Sequence, residues 1–324
     1  MFNGKTVLIT GGTGTFGRCC VQTLLERYKL KRLIVFSRDE LKQYEMQQVF
    51  DAPEMRYFLG DIRDRDRLGQ AMRGVDYVIH AAALKQVPAA EYNPMEFIKT
   101  NINGAENVVK AALENGVKKV IALSTDKAVN PINLYGATKM VMEKLIVAAN
   151  NIAGGLQTRF AVVRYGNVIG SRGSVVPLFQ KLVAEGVKEL PVTDPRMTRF
   201  WFTVQEGVDF VLKNVARMQG GEIFVPKIPS MRITDLVKSF GEDLEMKIIG
   251  IRPGEKLHEL MIPAEVSHLT LEYPDFYLIQ PPIHTFGKPD YKNTPRGERG
   301  RPVTEGFEYR SDTNPVFLTV EELR

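Results

Sequence analysis

The chain reads as an α/β protein built on a doubly wound parallel sheet, with a smaller, discontinuous second domain towards its C-terminus. Three observations carry that reading. Short apolar runs alternate with segments of helical periodicity over the first part of the chain, the rhythm of βα units whose strands lie parallel. The first run is followed at once by glycines at positions 11, 14 and 17 and then by a helical pattern. From about residue 170 the alternation gives way to irregular polar stretches and scattered helices.

The first run, Lys5 to Thr10, leads into the glycine turn and a helix from Arg18 to Tyr28 with Val21, Leu24 and Leu25 on one face. Strand, glycine turn and helix in that order are a Rossmann-like dinucleotide-binding start. Gly11 turns tightly, Gly14 admits a pyrophosphate close to the backbone, and Gly17 lets the helix pack on the strand, with its N-terminus towards the negative charge. Thr13, Thr15 and Phe16 lie between these glycines and are assigned to the cofactor with them.

The second run, Arg32 to Phe36, ends at Ser37 and Arg38, with Lys42 one turn on. An acid at this corner receives a ribose 2′-hydroxyl in NAD enzymes. Cations there suit a 2′-phosphate, so NADP is expected. The third run, Met55 to Leu59, precedes Asp61 and Ile62. The fourth, Val75 to His80, precedes Ala81 and Ala82, small enough for backbone to pass close to a nicotinamide. Lys85 follows as a charge just beyond a buried strand and is assigned to both cofactor and substrate. His80 has no titratable neighbour in sequence and is expected to satisfy its ring locally. Residues 93–116 read as one long helical segment, and Lys119 to Leu123 and Arg159 to Val163 as the fifth and sixth strands.

The fifth strand delivers the stretch around which the chain is organised. Ser124, Thr125, Asp126 and Lys127 stand in a row, and Tyr135 and Lys139 follow, four apart on a helix and so on one face. An ammonium beside a phenol lowers its pKa and makes it a usable general base. An isolated Tyr-x-x-x-Lys would be an ordinary surface pair. Here it follows a hydroxyl, a carboxyl and an amine, each able to move a proton.

Residues 1–170 form the nucleotide-binding domain, with 202–226 returning to it, and 171–201 and 227–324 form the substrate-binding domain. A helix starts near Ser174. An irregular polar loop runs from Pro191 to Arg199. A helix from Val204 to Met218 and a strand from Glu222 to Val225 follow. Next come a helix from Ile233 to Phe240, a strand from Lys247 to Ile251, and a further helix after Lys256. The Pro- and Gly-rich tail carries Phe307, Tyr309 and Phe317 and is expected to form an ordered cap.

Composition excludes several classes. Net charge is +5 without a long Lys/Arg block, so a nucleic-acid partner is not expected. The only cysteines, Cys19 and Cys20, are neighbours and cannot staple a fold, which points to a reducing compartment. No signal-peptide pattern opens the chain and no apolar stretch is long enough for a bilayer. A soluble, cytoplasmic protein without a membrane partner is expected, and no metal site is assigned.

The Gly-x-x-Gly-x-x-Gly spacing resembles the extended branch of the short-chain dehydrogenase/reductase superfamily. Asn101 with Gly104, and Arg164 with Asn167 and Gly170, match its Asn-x-x-Gly and Arg-x-x-Asn-x-x-Gly motifs. Ser124-Thr-Asp-Lys-Ala128, with Tyr135 retained, is similar to the soluble, configuration-inverting UDP-N-acetylglucosamine 4,6-dehydratases of pseudaminic acid biosynthesis. So are Arg38-Asp-Glu-Leu41, Arg196-Met-Thr-Arg-Phe-Trp201 and Arg252-Pro-Gly-Glu-Lys256. Gln86 departs from the pattern, where histidine is expected. The resemblance implies UDP-N-acetylglucosamine as substrate and a homo-oligomer, dimer or hexamer. Tyr135 with Lys139 would take the C4 hydroxyl proton, Lys127 the C5 proton, and Asp126 would protonate the departing C6 hydroxyl while Thr125 orients the sugar. That scheme requires Lys127 neutral and Asp126 protonated, and desolvation pushes both that way. Asp61 would bond the adenine amine. Arg199 and Arg252 would bind the diphosphate, Glu255 would orient one of them, and Asn167, Val175 and Pro177 would hold diphosphate and uracil. The rival readings are a UDP-sugar C4-epimerase and a non-catalytic NADP-binding protein.

Overall fold

The computed structural model describes residues 1–171, 173–283 and 289–324. Six runs become parallel strands: β1 (Thr6–Thr10), β2 (Arg32–Ser37), β3 (Met55–Leu59), β4 (Tyr77–His80), β5 (Lys119–Thr125) and β6 (Arg159–Tyr165). With β7 (Ile223–Pro226) they lie in the order β3-β2-β1-β4-β5-β6-β7. Every side chain of β1 is buried, as are the apolar cores of β2, β4, β5 and β6, because helices cover both faces of a parallel sheet. The strand order turns at β1, between β2 and β4. That places a crevice beyond the C-terminal ends of these strands, where α/β sheets take ligands.

The helices follow from their patterns. Gly104–Glu114 buries Ala105, Val108, Val109 and Ala112, a stripe at spacings of three and four. Val204–Arg217 starts at a capping box in which Thr203 and Glu206 satisfy each other's backbone N–H. It packs against Thr15–Arg27, so this stretch lies with the parallel sheet. The helix expected over 93–116 is broken in three: Pro94–Phe97, a π-helical turn over Ile98–Asn103, and Gly104–Glu114. Wider turns of this kind mark functional sites, and this one buries Thr100 and Asn101. Asn101 bonds both backbone groups of Leu84 and the Thr138 hydroxyl, which ties the loop after β4 to the helix that carries Lys139.

Two expectations fail. The whole of 227–324 was assigned to the second domain. Instead β8 (Thr270–Glu272), β9 (Phe276–Ile279) and β10 (Arg301–Pro302) extend the main sheet antiparallel, in the order β7-β9-β8-β10. An edge strand leaves unpaired backbone groups, and the chain covers that edge with its own later segments. The segment after Lys256 is not an α-helix but a strand, Leu260–Ile262, paired with Tyr309–Arg310 in the tail. Likewise the loop expected over 191–199 is confined to 193–197, between the short strands Glu189–Val192 and Thr198–Phe202.

The second lobe therefore consists of 167–202, 228–262 and the tail from 303. Its core gathers Phe179, Leu190, Trp201, Met231, Leu236 and Val237. A buried arginine, fixed by a bidentate pair, holds it to the sheet through one backbone carbonyl. Arg164 at the end of β6 bonds Glu143 at 2.9 and 2.6 Å and the carbonyl of Met261 at 2.6 Å. Breaking such a pair strands a charge and costs roughly 3–5 kcal/mol.

Candidate active site

One cleft of about 1190 Å³ runs from the glycine turn, across the ends of β4 and β5, to the second lobe. It is larger than the roughly 300–1,000 Å³ that one small ligand needs, enough for a dinucleotide and a second nucleotide together. It gathers Gly11, Thr13, Gly14, Thr15, Phe16, Gly17, Ser37, Arg38, Lys42, Asp61, Ile62, Ala81, Ala82 and Lys85 along one wall. Thr125, Lys127, Tyr135, Lys139 and Asn167 lie on the floor, and Val175, Pro177, Arg199, Arg252 and Glu255 on the opposite wall. Asp126 alone of the expected site residues contributes no surface: it is fully buried behind its neighbours.

The glycine wall is a backbone surface. Gly11 has φ +68°, and a Cβ there would sit 2.8 Å from the Ala82 backbone, so turn and strand end approach as only glycine allows. The helix Thr15–Arg27 opens at Gly14 with no side-chain cap, leaving backbone N–H groups turned to the cleft. At the ribose corner Arg38 is exposed and reaches Asp61 at 3.8 Å, while Lys42 pairs with Asp39. Asp61 is gripped by Arg63 at 2.8 and 3.0 Å. Burial pushes its carboxyl up, but Arg63 outweighs this and holds it below the usual range. His80 bonds Thr10 at 2.7 Å, and burial drives it down to about 3, so its ring is neutral and structural.

The floor is built differently. Asn133 caps Leu134–Ile152 by accepting from the Gly136 N–H at 2.7 Å and donates to the Gly254 carbonyl at 2.8 Å. A Cβ on Gly136 would lie 2.1 Å from the Lys127 carbonyl oxygen, so the helix start is pressed onto the Asp126–Ala128 turn. This contact is what brings Tyr135 to Lys127. Asp126 Oδ1 accepts from Thr125 Oγ1 at 2.8 Å and from Lys127 Nζ at 3.0 Å, and its Oδ2 is buried without a hydrogen-bond partner. Lys127 also approaches Glu259 Oε1 at 3.3 Å and Asn167 Oδ1 at 3.4 Å.

The electrostatics correct two expectations. Burial was expected to leave Lys127 neutral. Burial does pull its pKa down, but Asp126 and Glu259 together outweigh it and push the ammonium up, so the ligand-free lysine is charged. Lys139 was expected to lower the phenol of Tyr135. Instead its ammonium donates to the Leu123 carbonyl at 2.6 Å and is itself pulled down by burial to about 8. Tyr135 is pushed up to about 12, first by burial, with Lys127 and a hydrogen bond to Thr125 pulling the other way. The cation acting on the phenol is thus Lys127. Asp126 shifts upward as expected, chiefly through burial, with Glu259 adding to it and Lys127 opposing.

Sequence reading missed Glu259, Tyr165 and the apolar wall of Trp201, Met231 and Ile249, all of which line the cleft. Glu259 lies three residues beyond the Arg-Pro-Gly-Glu-Lys stretch, and nothing in its spacing to Lys127 signals that the two meet.

A phenol, two lysines and a carboxyl at the nucleotide end of a parallel sheet define an enzyme of the short-chain dehydrogenase/reductase class. The chain belongs to the polysaccharide biosynthesis protein family, whose model matches residues 7–281. It is 63% identical to a UDP-N-acetylglucosamine 4,6-dehydratase (inverting) of Campylobacter jejuni serotype O:2, over all of this chain and 97% of that one. It is 47% identical to a UDP-glucose 4-epimerase of Rickettsia akari, over 82% of this chain and 80% of the relative. Among solved structures it resembles Pen from Bacillus thuringiensis, with TM-score 0.90, 39% identity and coverage of 100% and 97% of the two chains. It shares its fold with DesIV, a dTDP-glucose 4,6-dehydratase from Streptomyces venezuelae, at TM-score 0.68 and 24% identity, over 78% of this chain and 86% of that one.

Proposed function

We propose that this protein removes water from UDP-N-acetylglucosamine across C5 and C6, with inversion at C5, giving UDP-2-acetamido-2,6-dideoxy-β-L-arabino-hex-4-ulose. The observation that carries this is the acid–amine pair at the cleft floor, Asp126 and Lys127 at 3.0 Å, beside the half-buried phenol of Tyr135. An epimerase needs the phenol but has no use for the pair. The 63% identity to the inverting dehydratase supports the same choice.

The glycine wall fits a nicotinamide dinucleotide: Gly11 against Ala82 leaves a bare backbone approach, and the uncapped helix start suits a pyrophosphate. We favour NADP, because Arg38 and Lys42 line the ribose corner. Bound there, an oxidised nicotinamide would supply a positive charge and a hydride acceptor for C4, and once reduced the hydride that C6 needs.

The chain's own residues do the rest. Tyr135 takes the C4 hydroxyl proton as its phenolate, which Lys127 and Thr125 favour against the burial that raises its pKa. Transfer of one proton from Lys127 Nζ to Asp126, across 3.0 Å, turns an ion pair into a neutral amine and a neutral acid. These are the two species the elimination needs. Lys127 then takes the C5 proton and, in leaving Asp126, uncovers the carboxyl that protonates the C6 oxygen. Elimination leaves the pair as ammonium and carboxylate. Reprotonation of C5 by Lys127 from the other face inverts that centre and leaves a neutral amine, and the proton held by Tyr135 restores the starting pair. Arg199, Arg252, Glu255, Val175 and Pro177 on the wall opposite the glycine turn, Asn167 on the floor and Lys85 on the cofactor wall all line the cleft, and we assign them to the substrate. We place the reaction at the first step of pseudaminic acid biosynthesis, in the cytoplasm, carried out by a homo-oligomer. Among the described residues no helix is long and apolar enough to cross a membrane.

Proton NMR of the products from UDP-N-acetylglucosamine and NADP in heavy water tests the reading. A 6-deoxy methyl signal with deuterium at C5 and an altered ring conformation is expected. Formation of UDP-N-acetylgalactosamine without that signal would favour the epimerase.

A further inference from the structure

The dehydratase reading gives Lys127 the C5 proton, and the inference below rests on that reading. Glu259 reaches Lys127 from the far side of the cleft, ahead of the strand Leu260–Ile262. Its side chain is 3% exposed. Oε1 lies 3.3 Å from Lys127 Nζ and 3.7 Å from Arg199 Nε, and Oε2 is buried without a hydrogen-bond partner. A carboxylate buried in this way costs several kcal/mol unless cations repay it.

The backbone holds this carboxylate in place. The Glu259 N–H donates to Ser311 Oγ at 2.8 Å, and the Ser311 N–H donates to the Glu259 carbonyl at 2.9 Å. Ser311 Oγ is itself locked to Thr198 Oγ1 at 2.7 Å. Tail, lobe and catalytic turn therefore meet at one side chain.

The charged and titratable groups facing Lys127 are Asp126, Glu259, Arg199, Lys85, Lys256 and the phenol of Tyr135. Three are cations that oppose a charge on Lys127. Two are acids, and one of these, Asp126, must carry a proton when the C6 oxygen leaves. At that moment Glu259 is the remaining carboxylate among these groups.

We propose that Glu259 is a positioning residue for Lys127: it holds the amine at the cleft floor and stabilises the ammonium that forms when the C5 proton is taken. In that step Lys127 Nζ bonds the C5 hydrogen as a proton, and the C–H electron pair enters the enolate of the C4 ketone. The enolate then expels the C6 oxygen, which takes the Asp126 proton and leaves as water. Glu259 exchanges no proton and acts through its charge and its place.

The test is Glu259→Gln, which keeps the shape and removes the charge, assayed in the full chain with UDP-N-acetylglucosamine and NADP. Loss of the charge makes Lys127 a weaker base. Plateau kcat should fall about tenfold to hundredfold, with KM for the sugar nucleotide changed by less than about threefold. The acid limb of the kcat–pH profile should move to lower pH by about one unit. Glu259→Asp keeps the charge but draws it back from Lys127 Nζ, so kcat should fall at least about threefold while its limb moves less than half as far. An unmoved limb in the Gln variant, or a loss confined to KM, overturns the proposal. Should the Gln variant not fold, an Asp variant matching the wild type in both height and limb position overturns it as well. A wild-type chain that forms no 6-deoxy product refutes the underlying dehydratase reading. A wild-type chain that forms it, beside a Gln variant with an unmoved limb, refutes this inference alone.

Discussion

The two sides of the cleft are made of different material. The glycine wall is backbone, small side chains and water-exposed cations paired with neighbours close in sequence, such as Lys42 with Asp39 and Arg63 with Asp61. The floor consists of charges wholly or largely out of water: Asp126 and Lys127 are neighbours in the chain, but Glu259, which completes the cluster, comes from a distant segment. The difference follows from solvation. A charge in water is screened and needs no partner, so its placement is local and substitution costs little. A buried charge must be paired in three dimensions, and the pairing sets its protonation state.

Substitutions on the floor and on the wall should therefore differ sharply. Lys127→Met removes the amine, and deuterium exchange at C5 should fall by at least about a thousandfold in the NMR assay. Full exchange in that variant would mean that another group takes the proton. Gly136→Ala tests whether the floor is assembled by backbone contact. Its Cβ would meet the Lys127 carbonyl oxygen, and we expect a loss of about 2–3 kcal/mol in denaturant unfolding, with lower kcat in the fraction that folds.

A buried carboxyl remote from the cleft separates burial from chemistry. Glu222 is pushed up to about 7 by burial, against backbone hydrogen bonds from Gln219 and Gly220 that pull it down. A raised carboxyl contributes stability that is whole below its unfolded pKa and is lost as pH rises through 7. Urea midpoints of the wild type should therefore fall between pH 5 and 8, by the equivalent of about 1–2 kcal/mol, and those of Glu222→Gln should be flatter, with kcat unchanged. The smallest effect belongs to the wall. Arg38→Ala should weaken NADP about tenfold relative to NAD, read as the ratio of their dissociation constants, and leave kcat nearly intact.

Much of this was legible in the residues. The strands β1, β2, β4, β5 and β6 announced themselves as apolar runs, since strands buried on both faces have no polar alternation to hide them. The glycine spacing and the Ser124–Lys127 row marked both ends of the cleft. What escaped was non-local. The return of β8, β9 and β10 to the sheet edge left no periodic trace in such short strands. The π-helical turn at Ile98–Asn103 interrupted a segment whose pattern stayed helical throughout.

The sequence by itself determined the fold class, the nucleotide-binding start and the types of acid and base available, because these depend on local spacing and side-chain chemistry. Only the tertiary structure decided which charges met. It parked Lys139 on a carbonyl, set Lys127 beside the phenol, sealed Asp126 beneath it and brought Glu259 across from the second lobe. A pKa is set by burial and by charges a few ångströms away, and such neighbours are chosen by packing, not by order along the chain.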